Sequence, residues 1–549
     1  MSPYRTNRST CRDLMMEATV GRNSNYRPIP SSIQIKIANF VANNSNTIMK
    51  RFFLLSISML FLLLTAPQPA GAITHPKREF RGAWIQCVNG QFQAIGTAAM
   101  QRMLLAQLDE LQRDGVNAVI FQVRAECDAL YPSRIEPWSK FLTGTQGRAP
   151  QPYWDPLQWM IEQCHKRGME LHAWINPYRA KTKGTTLLAA NHIVKTHPER
   201  VFAYGDLCVL NPGQPANRDY ICQVVDDILR RYDVDGIHMD DYFYPYPQSG
   251  LSIPDDREFA QYNKGISNRA DWRRHNVDEL IRQLSDSIHR IKPWVKFGIS
   301  PFGIYRNKKN SPEGSNTNGL ECYGDLYADV IKWVNEGWVD YCVPQLYWKI
   351  GHRIADYATL IQWWNKYAAH RPLFIGEDVV GTTKSPDLSN PQVSQMPAKY
   401  ALHEQMPNVQ GTVLWYAKAV ADNVGNYGHA LRDAYWRYPA LQPLMPFIDK
   451  KAPKKPRKVK PVWTSDGYVL FWTQPKGKSW DDVAKHYVVY RFSDAEKVDI
   501  SDATKIVAIT ADTFLKLPYS NGRQRYTYVV TALDRMSNES KAVKKKIKL

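Results

Sequence analysis

Between Arg78 and about Ile448 the sequence alternates short β-rich runs with helical stretches. The eight runs are Phe80–Val88, Val116–Val123, Met169–Ile175, Gly236–Met239, Val295–Ser300, Val339–Leu346, Leu373–Gly376 and Thr412–Tyr416. Such alternation is typical of βα units on a parallel sheet. A doubly wound sheet is the alternative, but no Gly-x-Gly-x-x-Gly follows the first run. The pattern therefore predicts an α/β fold, a closed (β/α)8 TIM barrel.

The stretches between these runs have the spacing of amphipathic helices. Apolar residues recur along one helical face in Met100–Arg113, and Leu157–Arg167 and Val277–Ile291 repeat the arrangement. Gly115 and Gly168 each stand between such a stretch and the next β-rich run, and glycine is a usual helix stop. The first two of these helices are therefore predicted to end at the glycine that precedes the next strand.

The last hundred residues have a different pattern. A Pro- and Lys-rich stretch over 450–460 is predicted to be a linker. Short β-patterned runs follow it at Gly467–Trp472, His486–Phe492, Ile506–Thr510 and Tyr526–Leu533. Their size and rhythm fit a fibronectin type III or immunoglobulin-like sandwich, and the run from Tyr526 resembles the last strands of a fibronectin type III domain. We therefore predict a barrel over 75–449 and a small all-β, fibronectin type III-like domain over 461–549.

The N-terminal segment 1–72 has the layout of a secretory signal. Basic residues follow Met49, an apolar run of about 13 residues ends at Leu64, and a small-residue Ala-x-Ala site ends at Ala72. A membrane span needs about 20 apolar residues. We therefore predict translation from Met49, cleavage after Ala72 and an exported protein, periplasmic or extracellular; a long N-terminus with a membrane anchor is the alternative.

Cysteine use and charge add two expectations. Seven of the eight cysteines follow Ala72 without a Cys-x-x-Cys, so we predict no metal site and at most one or two disulfides. Residues 450–549 carry 22 Lys and Arg against 10 Asp and Glu. This excess favours contact with an anionic envelope polymer, or else it is a solvated face that aids solubility. No nucleic-acid partner is expected, because the positive charge sits on the tail of an exported protein.

Chemistry-bearing residues follow six of the eight predicted strands, at the face where barrel active sites form. The segments are Gln122–Asp128, His172–Arg179, Asp235–Pro245, Gln345–Trp348, Glu377-Asp378 and Trp415-Tyr416. Each contains an acid, an amide or an aromatic residue, and packing alone explains six such ends poorly.

The sharpest signal is Asp240-Asp241 at the end of the fourth predicted strand. Cleavage of a glycosidic bond needs one carboxylic acid to protonate the leaving oxygen and a second group at the anomeric carbon. Asp240 and Asp241 could supply one or both roles. Because adjacent side chains diverge, Glu377 and Glu126 are further candidates for the second carboxylate. A cation site or a hydrogen-bond hub is the alternative for the Asp pair, and Glu126 could instead be an ion-pair partner of Arg124.

The remaining candidates would hold a sugar. His238, Asp240 and Tyr242 alternate along one strand and should share a face. Aromatic rings offer stacking surfaces, while amide and imidazole groups offer hydrogen bonds to hydroxyl or acetamido groups. The candidate binding residues are Arg124, Asp128, His172, Trp174, Asn176, Tyr178, His238, Tyr242, Gln345, Tyr347, Trp348 and Trp415. About half of the aromatic ones are expected to be structural, and no cofactor is predicted.

Five stretches in order across about 78–345 resemble the glycosyl hydrolase-like 10 family. They are Glu79–Trp84, Asp128–Ser133, Leu142–Gly144 with Gln146-Gly147, Leu171–Arg179 and Gly236–Pro245. The resemblance implies a barrel hydrolase whose relatives are thought to act on peptidoglycan glycan strands, including strands stripped of peptides. The positions of Asp240-Asp241, Arg124, Asp128 and His172 carry over from it. The chain departs from the family pattern at Ala125-Glu126-Cys127, where Pro-x-Gly precedes the conserved Asp.

The first hypothesis is therefore a hydrolase of a β-linked, amino-sugar-containing envelope glycan. The separation of its two carboxyl groups would decide between inversion and retention. A non-catalytic glycan-binding barrel is the second hypothesis, and it predicts that Asp240→Asn leaves function intact. A metal-dependent polysaccharide deacetylase is the third; its expected His-x-x-x-His pair beside an Asp is not evident.

Overall fold

The computed structural model describes residues 73–93 and 95–549, so the predicted signal peptide lies outside the described residues. Eight parallel strands form a closed barrel in sequential order, which confirms the predicted fold. The strands are β1 (Phe80–Ile85), β2 (Ala118–Arg124), β3 (Glu170–Ile175), β4 (Gly236–Met239), β5 (Lys296–Ile299), β6 (Tyr341–Cys342), β7 (Leu373–Asp378) and β8 (Val409–Trp415). Each overlaps one of the eight predicted runs.

A helix follows each strand and covers the outside of the barrel. The helices are α1 (Thr97–Arg113), α2 (Pro156–Lys166), α3 (Pro215–Arg231), α4 (Arg269–Ile291), α5 (Val330–Asn335), α6 (Tyr357–Tyr367), α7 (Met396–Glu404) and α8 (Ala417–Ala421). In α1 the buried face is formed by Met100, Leu104, Leu108 and Leu111, the spacing of one helical stripe. Asp155 caps α2 by accepting a hydrogen bond from the Gln158 backbone N–H at 3.1 Å.

Shorter elements lie in the loops. Helical turns occur at Lys140–Thr143, Ile193–Thr196, Pro198–Arg200, Asp256–Tyr262, Cys322–Asp325, Val379–Thr382, Val424–Asn426, Tyr427–Ala430, Leu431–Tyr435 and Ala503–Lys505. A small antiparallel sheet between β3 and α3 is formed by Arg179–Lys181, Val201–Tyr204 and Leu207–Leu210. The loop after β3 is therefore long and structured, and it forms part of the rim of the barrel.

Side-chain alternation along the strands separates two apolar layers. Phe80, Trp84 and Phe374 belong to the cluster inside the barrel, whereas Ile85 and Ile375 pack in the layer between strands and helices. Successive residues of a strand point to opposite faces, so the same alternation decides which polar residue at a strand end reaches the mouth of the barrel.

The C-terminal residues form two antiparallel sheets, in agreement with the predicted all-β domain. The strands are β9 (Arg457–Thr464), β10 (Gly467–Thr473), β11 (His486–Ser493), β12 (Ile506–Thr510), β13 (Phe514–Lys516), β14 (Arg525–Leu533) and β15 (Val543–Lys548). One sheet has the order β9-β10-β13 and the other β12-β11-β14-β15. β9 begins inside the stretch predicted to be a linker. The fibronectin type III relationship stays a prediction.

This sandwich packs against the end of the barrel where the strands begin. Lys485 Nζ lies 2.7 Å from Asp235 Oδ1, and Arg535 Nη1 lies 2.8 Å from Asp233 Oδ1. Both aspartates lie within the three residues before β4. The sandwich therefore sits at the opposite end of the barrel from the face where the strands end and where barrel active sites form.

The described residues also bear on disulfide bonds and on membrane-spanning helices. No disulfide joins the seven cysteines in this part of the chain, and six of them are buried as small core residues. Within residues 73–93 and 95–549, no helix is both long and apolar enough to cross a membrane.

Candidate active site

A cavity of about 530 Å³ opens at the end of the barrel where the strands end. It is lined by Trp84, Val88, Asn89, Gln122, Phe141, Trp174, Asn176, Arg179, Thr182, Asp240, Tyr242, Ser300, Gln345, Tyr347 and Trp415. Seven predicted site residues are brought together here: Trp174, Asn176, Asp240, Tyr242, Gln345, Tyr347 and Trp415. Among the lining residues that the structure describes, Asp240 is the only carboxylic acid.

Asp240 has the environment of a protonated acid. Its Oδ2 accepts a hydrogen bond from the Trp174 indole N–H at 3.2 Å, whereas Oδ1 is buried without a partner. Burial, reinforced by the charge of Asp241, raises the pKa of Asp240 well above its ordinary value, against the opposing effects of Arg179 and Trp174. A carboxyl group that keeps its proton at neutral pH can donate it to a glycosidic oxygen.

Asp241 is buried and does not line the cavity. The Tyr246 hydroxyl donates a short hydrogen bond to its Oδ2. Burial raises the pKa of Asp241 to about 6, and the hydrogen bond from Tyr246 limits this rise. Asp241 is therefore mostly ionised at pH 7, where its charge helps to keep the proton on Asp240. The two adjacent carboxyl groups thus have different surroundings and different protonation.

Replacing Asp241 by Asn is expected to shift the pH dependence of activity. The substitution removes a negative charge beside Asp240, so the pKa of Asp240 falls and its proton is lost at lower pH. The alkaline limb of the kcat/KM profile should therefore move to lower pH. Glu377→Gln is the matched control, because Glu377 is a buried carboxylate that does not line the cavity and is paired with Lys399. An unchanged alkaline limb in Asp241→Asn would contradict this coupling.

Beneath the cavity floor, His238 and His172 form a buried hydrogen-bonded chain. The Trp84 indole N–H donates to His238 Nε2 at 3.3 Å, and the Tyr341 hydroxyl lies 3.0 Å from His238 Nδ1 and 2.7 Å from His172 Nδ1. Burial, with His172 adding to it, holds the pKa of His238 well below its ordinary value. His238 is therefore neutral, and its Nδ1–H donates to Tyr341. Both histidines support the floor and are not positioned to touch a substrate.

The walls of the cavity are aromatic, with amide groups between the rings. The Trp415 ring lies 6.2 Å from the Trp174 ring and 6.4 Å from the Tyr347 ring, centroid to centroid. Asn176 Oδ1 accepts a hydrogen bond from Gln122 Nε2 at 3.4 Å. Flat apolar faces interspersed with a few fixed polar groups are what a sugar-binding site needs.

Glu377 does not reach the cavity, so its position does not support the predicted catalytic role. Residue 374 points into the barrel, so strand alternation sends residue 377 outward. There Glu377 Oε2 lies 2.8 Å from Lys399 Nζ, and the Tyr357 hydroxyl donates to its other oxygen. Burial alone would raise the pKa of Glu377, but Lys399 and His403 bring it below the ordinary value. Glu377 is thus a charged partner inside the helical layer.

Arg124 and Asp128 are structural supports of the loop after β2 rather than cavity residues. A register shift between Gln122 and Arg124 turns the arginine away from the cavity, and its Nε lies 3.0 and 2.9 Å from the two carboxylate oxygens of Glu136. Asp128 accepts hydrogen bonds from the Glu126 backbone N–H at 3.1 Å and from Gln146 Nε2 at 3.2 Å. Both side chains are fully buried.

Three other predicted groups also lie outside the cavity. Tyr178 is fully buried, and Trp348 packs against Phe302 with ring centroids 5.3 Å apart. Glu126 accepts short hydrogen bonds from Thr182 and Thr185. These residues shape the loops around the mouth without entering it. In the described part of the chain, no three His, Cys, Asp or Glu residues are grouped so as to hold a metal ion.

Several residues that line the cavity were not predicted as site residues; the clearest cases are Trp84, Ser300 and Arg179. Trp84 and Ser300 lie at the ends of β1 and β5, the two strands for which no chemistry-bearing segment was predicted from the sequence. Strand alternation through Phe80 and Gly82 was the available signal for Trp84. The Arg179 guanidinium lies 3.6 Å from the centroid of the Tyr242 ring, a cation–π contact that places its charge beside the cavity.

The model of the glycosyl hydrolase-like 10 family matches residues 79–395, which include most of the strand ends that form this cavity. This chain belongs to that family. Glycosyl hydrolase YngK of Bacillus subtilis (strain 168) is 38% identical over 509 residues, covering 90% of this chain and 98% of the relative. Glycosyl hydrolase DigH of Escherichia coli (strain K12) is 34% identical over 413 residues, covering 68% of this chain and 93% of the relative.

Membership of the glycosyl hydrolase-like 10 family confirms the resemblance carried by the five motifs. It also confirms the predicted enzyme class, a glycoside hydrolase. Among solved structures, the chain is similar to the glycoside hydrolase domain of PgaB (BpsB) from Bordetella bronchiseptica, with 13% identity and a TM-score of 0.41. That likeness covers 65% of this chain and 98% of the domain.

Proposed function

We propose that this chain is an exported hydrolase that cleaves amino-sugar glycan strands of bacterial peptidoglycan. The observation that carries the proposal is the Asp240 carboxyl group at the cavity floor. Its proton is retained by burial, and its Oδ1 has no partner. Export is supported by the signal-like segment over 1–72. The choice of peptidoglycan is supported by the family resemblance and by the amide and aromatic lining of the cavity.

The cavity favours a particular source for the second catalytic group. Asp240 is the only carboxylic acid among the described residues that line the cavity. Asp241 accepts a hydrogen bond from Tyr246, and Glu377 forms an ion pair with Lys399. A mechanism with two protein carboxylates needs both beside the scissile bond. A sugar with a 2-acetamido group can supply the second group itself. We therefore propose a substrate-assisted reaction with net retention of anomeric configuration.

The proposed reaction has two steps. In the first, Asp240 donates its proton to the glycosidic oxygen while the acetamido oxygen bonds to the anomeric carbon and the bond from that carbon to the glycosidic oxygen breaks. In the second, the Asp240 carboxylate removes a proton from water, the water oxygen bonds to the anomeric carbon, and the bond between that carbon and the acetamido oxygen breaks. Asn176, Gln345 and Tyr347 line the cavity as hydrogen-bonding groups for the acetamido group. Arg179 and Trp174 stabilise the Asp240 anion between the two steps.

This mechanism predicts a strict requirement for the acetamido group. Glycan strands whose amino sugars have been N-deacetylated should be cleaved at a rate at least about 100-fold lower, because an intramolecular nucleophile is lost. The measurement is the release of reducing ends from matched acetylated and deacetylated strands, with the anomeric configuration read by NMR. Equal rates on both strands, or inversion, would mean that a protein carboxylate or a water molecule acts instead.

A further inference from the structure

An exposed aromatic cluster lies on the C-terminal sandwich, outside the barrel. Its members are Trp463, Tyr468 and Tyr519, which we call the aromatic corner. Trp463 and Tyr519 expose 59% and 45% of their surface. The Trp463 ring centroid lies 4.9 Å from that of Tyr468 and 4.8 Å from that of Tyr519. Single exposed aromatics are ordinary on protein surfaces, but a contiguous apolar patch often marks a binding site.

The sequence forms this corner through strand register and one loop. Trp463 of β9 stands directly opposite Tyr468 of β10, so their side chains share one face of the sheet. Tyr519 comes from the segment between β13 and β14. Its ring is inclined by 77° to that of Trp463, whereas the Trp463 and Tyr468 rings are inclined by 31°. The three rings therefore form an open angle, with one broad face and one side wall.

The corner lies at the end of the sandwich that points away from the barrel. β10 and β14 both run toward the barrel, because the loops that follow them carry the contacts Lys485 and Arg535. Tyr468 lies at the start of β10 and Tyr519 shortly before β14. At about 3.3 Å for each residue of β14, the corner is about 25–30 Å from the barrel contact. It is therefore a separate surface, not an extension of the catalytic cavity.

A lysine side chain flanks the aromatic rings. A Cβ added at Gly522 would lie 3.8 Å from both Lys548 Cε and the Tyr519 hydroxyl. Lys548 is exposed. The corner thus combines ring faces with positive charge, and it stands on a domain with a large excess of basic residues.

We propose that the aromatic corner is a second glycan-binding site, which holds an anionic polysaccharide strand of the envelope. Sugar rings present flat apolar faces that stack on aromatic rings, and lysines complement the carboxylates of such a polymer. Bound at the far end of the sandwich, the strand keeps the barrel close to the wall. The choice of peptidoglycan as the polymer rests on the proposed function, whereas the stacking surface itself does not depend on it.

The test uses the full chain with Asp240→Asn, so that the glycan is not degraded while binding is measured. Co-sedimentation with insoluble peptidoglycan gives the affinity of this chain and of a version that also carries Trp463→Ala and Tyr519→Ala. We expect the added pair to weaken binding about 10-fold or more, since clustered aromatic anchors carry most of the energy of a small binding surface. Binding should also weaken as salt is raised, because the lysine contributes through charge.

Phe514→Ala is the matched control. Phe514 is an aromatic residue of the same sheet with 46% exposure, but its ring packs against Phe471, outside the corner. It should leave the affinity within about twofold. Unchanged sedimentation of the Trp463 and Tyr519 double variant would overturn the inference. An equal loss in Phe514→Ala, or tighter binding to anionic lipid vesicles than to peptidoglycan, would also overturn it.

Fragment release by the unmodified full chain tests the proposed function separately from binding at the aromatic corner. If the chain releases fragments but the corner substitutions do not change its binding, the proposed function stands and the second binding site does not. If the chain releases no peptidoglycan fragments but its binding depends on the corner, the second binding site stands and the proposed activity does not. Thermal melting of each variant confirms that the exposed substitutions leave the fold intact.

Discussion

Replacing Asp240 by Asn is expected to lower kcat on the cleaved glycan by about 100- to 10,000-fold, the contribution typical of a positioned general acid. The amide keeps the size of the side chain and the contact to Trp174, but it has no proton to give to the leaving oxygen. Because binding depends mainly on the aromatic walls, KM should change much less than kcat. The measurement is the initial rate of reducing-end formation over a range of substrate concentrations.

Stability of the same variant separates a lost acid from a lost fold. In the native state the pKa of Asp240 is raised, while in the unfolded chain this group ionises near pH 4. The native state therefore loses about 1.4 kcal/mol for each pH unit between these two pKa values. An Asn side chain does not ionise, so the variant does not lose native-state stability in this way as pH rises. The variant should be more stable than the unmodified chain at pH 8, and this advantage should disappear near pH 4.

Glu377→Gln is the matched control for activity. It also removes a carboxylate at the end of a barrel strand, but this carboxylate faces Lys399 in the helical layer. We expect it to lower the melting temperature while kcat of the folded enzyme stays within a few-fold. A large loss of kcat in Glu377→Gln, with Asp240→Asn retaining full activity, would show that the acid has been assigned to the wrong strand.

Replacing Arg124 by Met is expected to destabilise the chain by about 3–5 kcal/mol. Arg124 and Glu136 are both fully buried, and removing one partner leaves the other charge unpaired in the protein interior. Arg124 also donates hydrogen bonds to the backbone carbonyls of Asn176 and Pro177, so the loops after β2 and β3 lose a common support. The measurement is the free energy of unfolding from urea denaturation.

Arg179→Met provides the matched comparison. Arg179 lines the cavity beside Tyr242, so its loss should weaken glycan binding and catalysis with little change in the free energy of unfolding. The two arginines should thus show opposite patterns. If Arg124→Met instead raised KM without reducing stability, Arg124 would belong to the substrate site, as the family resemblance implied.

The barrel could be predicted from sequence because its signals are local. Eight β-rich runs, with helical stripes such as that of α1 between them, specify a parallel barrel without knowledge of any long-range contact. The direction of a strand-end side chain is harder to predict. Glu377 and Asp378 are adjacent acids, and only the observed inward position of Phe374 shows that Glu377 faces outward.

Other features depended on contacts that the sequence does not reveal. Arg124 turns away from the cavity because of a register shift in β2, and its partner Glu136 lies twelve residues further along in an irregular loop. In the sandwich, β15 was missed because lysines occupy three consecutive positions and hide its alternation. Its pairing with β14, at Val543 opposite Val530 and Ile547 opposite Tyr526, defines it as a strand.

Asp240 and its proposed substrate can be tested together by digesting peptide-stripped peptidoglycan strands in water labelled with heavy oxygen and identifying the fragments by mass spectrometry. We expect the unmodified chain to produce new reducing ends on N-acetylated amino sugars, each carrying one heavy oxygen atom, and Asp240→Asn to produce almost none. Fragments without the label would indicate bond cleavage without hydrolysis. Equal fragment release by Asp240→Asn, or none from either protein, would contradict the claim that Asp240 is the acid of a peptidoglycan hydrolase.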